Sequence, residues 1–473
     1  MKKEGGMAEQ KPIERSFLLD GAKLCETVAY QDTRTIMYAC YDPITSHCEL
    51  IESLVLDGIT YTPPQNPLAF TGTLLFPTYP EPYNSVSELL DEVRAFIHLY
   101  LELPEDYEFL ASCYVLLTWV FDCFEAIPYL RARGEFGTGK SRFLQTLGAL
   151  CYRSCFAGGS STVSPIFRII DLYQGVTLIL DEADFRFSGP DAEMIKILNT
   201  GYMKGCPVLR TEGDRERIPT AYNTYGPKIL ATRKEFQDQA LESRCLTNYM
   251  TPMRRTDIPI HLPRVFHKTA LRIRNKLLQF RFDHYGQYDL DESLAVPGLE
   301  PRINQVLLPL FALLEDEVGG LETLQAFAKK HALVQQQTRS ESLEAEILQA
   351  MVVVSKESPY LPMKVIAEKV NEHKDRDQGE FLISPTKVGR VNKTSFGFTT
   401  RMLHGRKEIL WDTSLASILC TRYNISLQGD QGELGELFGE EGVKVLEDTV
   451  LGGTSKLEEE KTSPSSPYSP EEI

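Results

Sequence analysis

The run Gly134-Glu135-Phe136-Gly137-Thr138-Gly139-Lys140-Ser141 has the spacing GxxxxGK[ST]. Glycines in this pattern let a loop turn its backbone N–H groups onto a phosphate chain, and a helix opening at its end adds positive potential. Gly134, Gly137, Thr138, Gly139 and Lys140 are therefore the expected phosphate contacts. Lys140 would reach the β- and γ-phosphates, and the Ser141 hydroxyl would ligate Mg²⁺. Extended Tyr129–Ala132 precedes the run and apolar Phe143–Leu150 follows it, the strand-then-helix context the motif requires. Further along, Val176–Asp184 is an apolar strand ending in Asp181-Glu182. There Asp181 would hold the metal and Glu182 would polarise an attacking water. Together the two motifs predict a nucleoside triphosphatase that uses Mg²⁺.

Two further groups of residues suggest a polyanionic partner. Pro207–Tyr222 contains two short alternating runs around Glu212-Gly213-Asp214, a hairpin signal, with Lys204, Arg210, Arg215 and Arg217 as its cations. Glu212, Asp214 and Glu216 offset much of that charge. Leu343–Tyr423 reads as a winged helix: helices over Glu344–Val354 and Met363–Glu372, a third after Ser384-Pro385, then strand–wing–strand over Phe396–Trp411. From Phe381 to Leu410 the bases Lys387, Arg390, Lys393, Arg401, Arg406 and Lys407 face one acid, Glu408. A basic recognition helix and wing suit DNA, although such modules also bind proteins.

The elements that must position these groups come from the rest of the chain. Its 473 residues allow two to four domains at roughly 100–200 residues each, and 42% apolar and 25% charged residues are ordinary for globular chains. A net charge of −16 excludes a uniformly basic nucleic-acid binder. Residues 1–82 are short strands broken by Asp20-Gly21, Asp42-Pro43 and Asp57-Gly58, a β-rich domain. A helical lead-in over 83–127 opens with the capping box Ser85-x-x-Glu88. The alternating strands and helices of 128–330 predict an α/β core with a helical lid. A polar linker is expected over 331–342, the winged helix over 343–425, and an acidic, disordered tail over 426–473. From Gly429 on, twelve acids face three lysines. With no apolar N-terminal segment and no apolar run of ~20 residues, the chain is expected to be soluble, cytoplasmic and free of membrane contact. Ten cysteines without a CxxC argue against a disulfide framework. Cys25, Cys40, His47 and Cys48 could gather around zinc or simply be buried.

These motifs resemble AAA+ ATPases, and within them the MCM-like replicative helicases of plasmids, phages and other mobile elements. The resemblance runs from about Tyr100 to Tyr423. It rests on Tyr129-Leu130-Arg131 leading into the phosphate loop, the Leu180-Asp181-Glu182-Ala183-Asp184 run, Lys228–Thr232, and Ala240–Cys245. It implies a P-loop AAA+ core in which Thr232 is the sensor-1 residue, where the family often has Asn. Ser243-Arg244 is similar to the family's Ser-Arg-Phe, with Cys245 in place of Phe, and implies that Arg244 serves a neighbour's active site. Arg302 is either a sensor-2 arginine or a surface helix residue. The hairpin would grip DNA phosphates inside a ring. The implied activity is that of an ATP-dependent DNA helicase or translocase. The resemblance implies a ring, expected to be a hexamer, on single-stranded or forked DNA, with a primase or polymerase as partner. A DNA-binding switch that does not unwind, and a protein-remodelling ATPase, are the alternatives.

Overall fold

The structure, a computed structural model, describes residues 11–158, 161–185, 191–212, 218–236, 238–315, 317, 319–340, 342–372, 382–403 and 406–426. They fall into two compact units, one up to Val334 and one from Gln335.

The first unit opens with β1 (Ile13–Glu14) and a four-stranded antiparallel meander. Its strands are β2 (Phe17–Asp20), β3 (Lys23–Tyr30), β4 (Thr35–Asp42) and β5 (His47–Ile51). The hairpin of β6 (Leu54–Leu56) and β7 (Ile59–Thr62) pairs back to β1 in parallel. Cys25 and Cys40 are direct partners on β3 and β4, and their sulfurs are bonded. This corrects the expectation of unpaired cysteines. It also takes both Cys25 and Cys40 out of the suggested zinc set, because a disulfide sulfur is no thiolate. Among the described residues no three His, Cys, Asp or Glu side chains gather as a metal site.

Next, α1 (Val86–Tyr100) starts where Ser85 accepts from the Glu88 N–H at 3.1 Å, and buries Leu89, Val93, Phe96, Ile97 and Tyr100. The following α2 (Glu105–Val120) is apolar all round and buried, as such helices must be. No helix among the described residues is long and apolar enough to cross a membrane.

The core sheet comprises β8 (Tyr129–Arg133), β9 (Cys155–Ala157), β10 (Leu178–Leu180), β13 (Lys228–Thr232) and β14 (Cys245–Tyr249). Between them lie α3 (Lys140–Gly148), α4 (Val163–Tyr173), α5 (Asp191–Thr200), the antiparallel hairpin β11 (Val208–Glu212) and β12 (Ile218–Tyr222), and α6 (Gln239–Glu242). All five core strands are parallel, in the order β14-β8-β13-β10-β9. Near-continuous apolar runs such as Leu178–Leu180 suit a parallel sheet covered on both faces. The order puts β13 between the strand that feeds the glycine loop and the strand that ends in Asp181-Glu182.

Three helices follow: α7 (Arg264–His284), α8 (Pro301–Leu313) and α9 (Gly320–Ser340). The unit boundary lies inside the expected 331–342 linker, yet the backbone there is helical to Ser340. Gln335–Gln337 sit in a stretch without Gly or Pro, and Gln is a good helix former.

The second unit holds α10 (Leu343–Ser355), β15 (Tyr360–Pro362), α11 (Met363–Asn371), α12 (Pro385–Val391), β16 (Thr400–Leu403), β17 (Arg406–Leu410) and α13 (Thr413–Tyr423). Its three-stranded antiparallel sheet has the order β15-β17-β16.

Candidate active site

The glycine loop turns between the end of β8 and the start of α3. Gly137 and Gly139 have φ of +77° and +88°, which only glycine adopts cheaply. Gly134 is required for another reason: a Cβ there would meet the Met250 carbonyl oxygen at 2.7 Å. Thr138 Oγ1 donates to the Glu135 carbonyl at 2.8 Å and braces the turn. The Lys140 ammonium donates to the Gly134 and Glu135 carbonyls at 2.7 and 2.6 Å, so it lies folded across the loop that it would serve.

β10 brings Asp181 to the same place. Ser141 Oγ donates to Asp181 Oδ2 at 2.9 Å across a sequence separation of 40. Glu182 follows at φ +52°, an unusual conformation for a side-chain-bearing residue. Thr232 ends β13 between them, in register with Arg133, and its buried hydroxyl has no hydrogen-bond partner among the described residues. A cavity of about 390 Å³ is lined by Gly137, Gly139, Lys140, Ser141, Asp181, Glu182 and Thr232.

Five more residues line it without a role assigned from the sequence: Phe136, Arg142, Asp184, Ala231 and Arg233. The Asp184 carboxylate accepts from the backbone N–H groups of Arg233 at 2.9 Å and Lys234 at 3.2 Å, tying the β10 turn to the end of β13. Arg233 Nη2 donates to Glu182 Oε1 at 3.2 Å while its guanidinium stacks 4.0 Å from the centre of the Phe136 ring. Arg142 donates to the Pro259 and Ile260 carbonyls at 3.0 and 2.6 Å, strapping the segment after β14 to the loop helix. The sequence signal was position beside or within a motif: Arg233 follows Thr232, and Asp184 ends the Leu180–Asp184 run.

Arg244 and Arg302 lie elsewhere. Arg244 precedes β14, whose first residue pairs with Tyr129, at the opposite end of the sheet from the loop that follows Arg133. It is 8% exposed, hydrogen-bonded to Asn199 Oδ1 and stacked 4.2 Å from the centre of the Tyr202 ring. Arg302 donates to the hydroxyl of that same Tyr202 at 3.0 Å. Two arginines read as separate site residues thus meet on one ring, outside the cavity.

The expected DNA contacts divide. Lys204 donates to the Asp122 carbonyl at 2.8 Å and faces Glu125 at 3.6 Å. Arg210 pairs with Glu193 at 3.2 Å and covers the Phe167 ring. Both are therefore engaged within the chain. Arg215 and Arg217 lie outside the described residues, and the Arg406 side chain is likewise not described. In the second unit Arg390 and Lys393 are exposed and Lys387 is half-buried, on α12 and the turn after it. Arg401 pairs with Glu408 at 2.9 Å.

No family model and no curated protein matches the chain. Among solved structures, the C-terminal region of NrS-1 is similar at 11% identity and a TM-score of 0.36, over 82% of this chain and 97% of that one. The JCV helicase aligns at 13% identity and a TM-score of 0.23, over 53% of this chain and 66% of that one. A structure of Drosophila ORC bound to DNA aligns at 12% identity and a TM-score of 0.21, over 73% of this chain and 96% of that one.

Proposed function

We propose that the chain is an ATP hydrolase with a P-loop AAA+ core that drives a DNA helicase or translocase. The observation that carries the catalytic part is one cavity where three strand ends converge, with Lys140, the Ser141–Asp181 pair, Glu182 and the Thr232 hydroxyl, unpartnered among the described residues, on its wall. Ser141 and Asp181 are the ligand pair for Mg²⁺, which when bound neutralises charge on the β- and γ-phosphates. Lys140 exchanges its two carbonyls for phosphate oxygens, Glu182 takes the proton of the attacking water, and Thr232 orients that water or the γ-phosphate.

The DNA part is supported by the basic α12 region: Lys387, Arg390 and Lys393 lie in a stretch, Phe381–Leu410, whose one acid, Glu408, is paired with Arg401. In this reading the second unit is a winged helix, the hairpin tip is the second grip, and Arg244 acts on a neighbour's nucleotide in a ring, expected to be a hexamer. A primase or polymerase would be the partner at a fork. The pairing of Lys204 and Arg210 inside the chain favours a second reading, a replication initiator or regulator that hydrolyses ATP without unwinding.

Lys140→Ala is expected to abolish ATP hydrolysis, and Glu182→Gln to keep ATP binding while turnover falls by roughly 10²-fold or more. Substantial hydrolysis by the Lys140 variant would exclude the site. Forked duplexes with a 3′ or a 5′ arm then separate the two readings, because only a helicase displaces the strand in an ATP-dependent way.

A further inference from the structure

We propose that Arg233 is a γ-phosphate contact that Glu182 holds when no terminal phosphate is present, so that ATP and the water-activating carboxylate compete for one guanidinium. This rests on the reading of the cavity as a nucleoside-triphosphate site.

The backbone of Arg233 is fixed. Its N–H donates to both Asp184 oxygens, at 2.9 and 3.2 Å, and it directly follows the buried Thr232. Its side chain, in contrast, is 38% exposed and lies along the cavity wall that Lys140 and Ser141 share. Among the described residues the guanidinium makes one hydrogen bond, to Glu182 Oε1 at 3.2 Å. A guanidinium has five N–H donors in a planar fork that suits phosphate oxygens, so most of its donor capacity remains for a second anion. Phe136 explains how that fork is aimed. It sits inside the glycine loop, 75% exposed, and the Arg233 guanidinium lies 4.0 Å from its ring centre. Stacking on a ring face leaves the guanidinium edge free while holding its plane. The loop that cradles phosphates therefore also carries the platform for this cation.

Glu182 is 65% exposed, so its pair with Arg233 is of the weak, exchangeable kind. A terminal phosphate carries more charge than one carboxylate and presents three oxygens, so it wins the guanidinium. Glu182, released, is then free to accept the proton of the water. With ADP there is no competing group, and the carboxylate stays paired. Arg233 thus makes release of the general base conditional on a triphosphate.

The test is equilibrium binding of AMPPNP and ADP, in Mg²⁺, to the full chain as wild type, Arg233→Ala, Glu182→Gln and the double variant. Arg233→Ala should weaken AMPPNP roughly tenfold, as for a charged hydrogen bond, with ADP within about twofold. Glu182→Gln should tighten AMPPNP in both backgrounds by removing charge repulsion. The tightening should be roughly two- to fivefold larger when Arg233 is present, the size of an exposed ion pair. Equal losses for AMPPNP and ADP, or strict additivity of the two substitutions, would overturn the competition. If Arg233→Ala does not fold, Arg233→Lys carries the same comparison, with a smaller loss confined to AMPPNP. Lys140→Ala keeps the two failures apart: unaltered AMPPNP binding in that variant rejects the nucleotide site itself.

Discussion

Thr232 has a hydroxyl with no partner among the described residues, in a position that is 1% exposed. A buried, unsatisfied hydroxyl costs about 1–3 kcal/mol, and valine offers nearly the same shape without it. Were Thr232 a packing residue, Thr232→Val would be at worst neutral and the chain would keep its activity. Under the catalytic reading the same change has opposite effects on two measurements. Thermal unfolding should move up, by about 1 kcal/mol of stability, while the ATP turnover rate falls by roughly ten- to a hundredfold. Improved stability with unchanged turnover would remove Thr232 from the mechanism. The trade is the expected signature of a polar atom kept for a ligand rather than for the fold.

At the scale of elements, β13 links the hairpin to the cavity, and Lys228 fixes its start. The fully buried Lys228 ammonium donates to the Gly201, Thr224 and Gly226 carbonyls at 3.0, 3.0 and 2.8 Å, pinning the segment between β12 and β13 to the end of α5. Burial pushes its pKa from 10.5 down to about 7. Between those values the unfolded chain binds the extra proton, so this group adds stability as pH rises above 7. Lys228→Met should lose that increment: chemical denaturation at pH 7 and pH 9 should show the wild type gaining on the variant at the higher pH. A constant difference would mean that the ammonium keeps its ordinary pKa. Such a lysine was not legible in the sequence, because Lys228-Ile229-Leu230-Ala231-Thr232 shows a cation at a strand edge and nothing of the carbonyls around it. What was legible depended on local chemistry. The Ser85 capping box opens α1 where expected, and the GxxxxGK[ST] spacing forms a loop ending at α3. What was not legible depended on which strands become neighbours. The Arg233–Glu182 contact exists because β13 lies beside β10, and the Cys25–Cys40 bond because β3 and β4 pair in that register.

On the scale of the whole molecule, the β-rich N-terminal part is locked to the core by buried charge. Glu26, 1% exposed, accepts from Arg153 at 2.5 Å and Arg281 at 2.6 Å, and Arg281 also forks onto Asp122 at 2.9 and 2.7 Å. β3, the turn after α2 and α7 are thereby joined at one point, and removing a single partner from such a network costs about 3–5 kcal/mol. This bears on how copies of the chain would cooperate, because a rigid unit can transmit force only through its faces. Arg244 and the glycine loop lie at opposite ends of the five-residue strands β8 and β14, roughly 16 Å apart at about 3.3 Å per residue. Arg244 therefore lies too far from the cavity of its own chain to act there, and under the proposed function any catalytic role must be played on another copy. Its contacts with Asn199 and Tyr202 offer the opposing account, a cation that only supports α5 and the start of β14. Subunit mixing decides. Arg244→Ala and Lys140→Ala chains should each be inactive alone, and specific activity of the wild type should rise with protein concentration. A guanidinium supplied in trans is worth about 10³–10⁵ in rate in well-studied phosphoryl transfers, so even a few restored interfaces are measurable. Mixed assemblies should regain part of the ATPase, since some interfaces then join an intact glycine loop to an intact Arg244. If Arg244 is structural, its variant should instead unfold at lower temperature, and mixing should restore nothing in assemblies shown to contain both chains. Full activity from a monomer would equally reject the trans role.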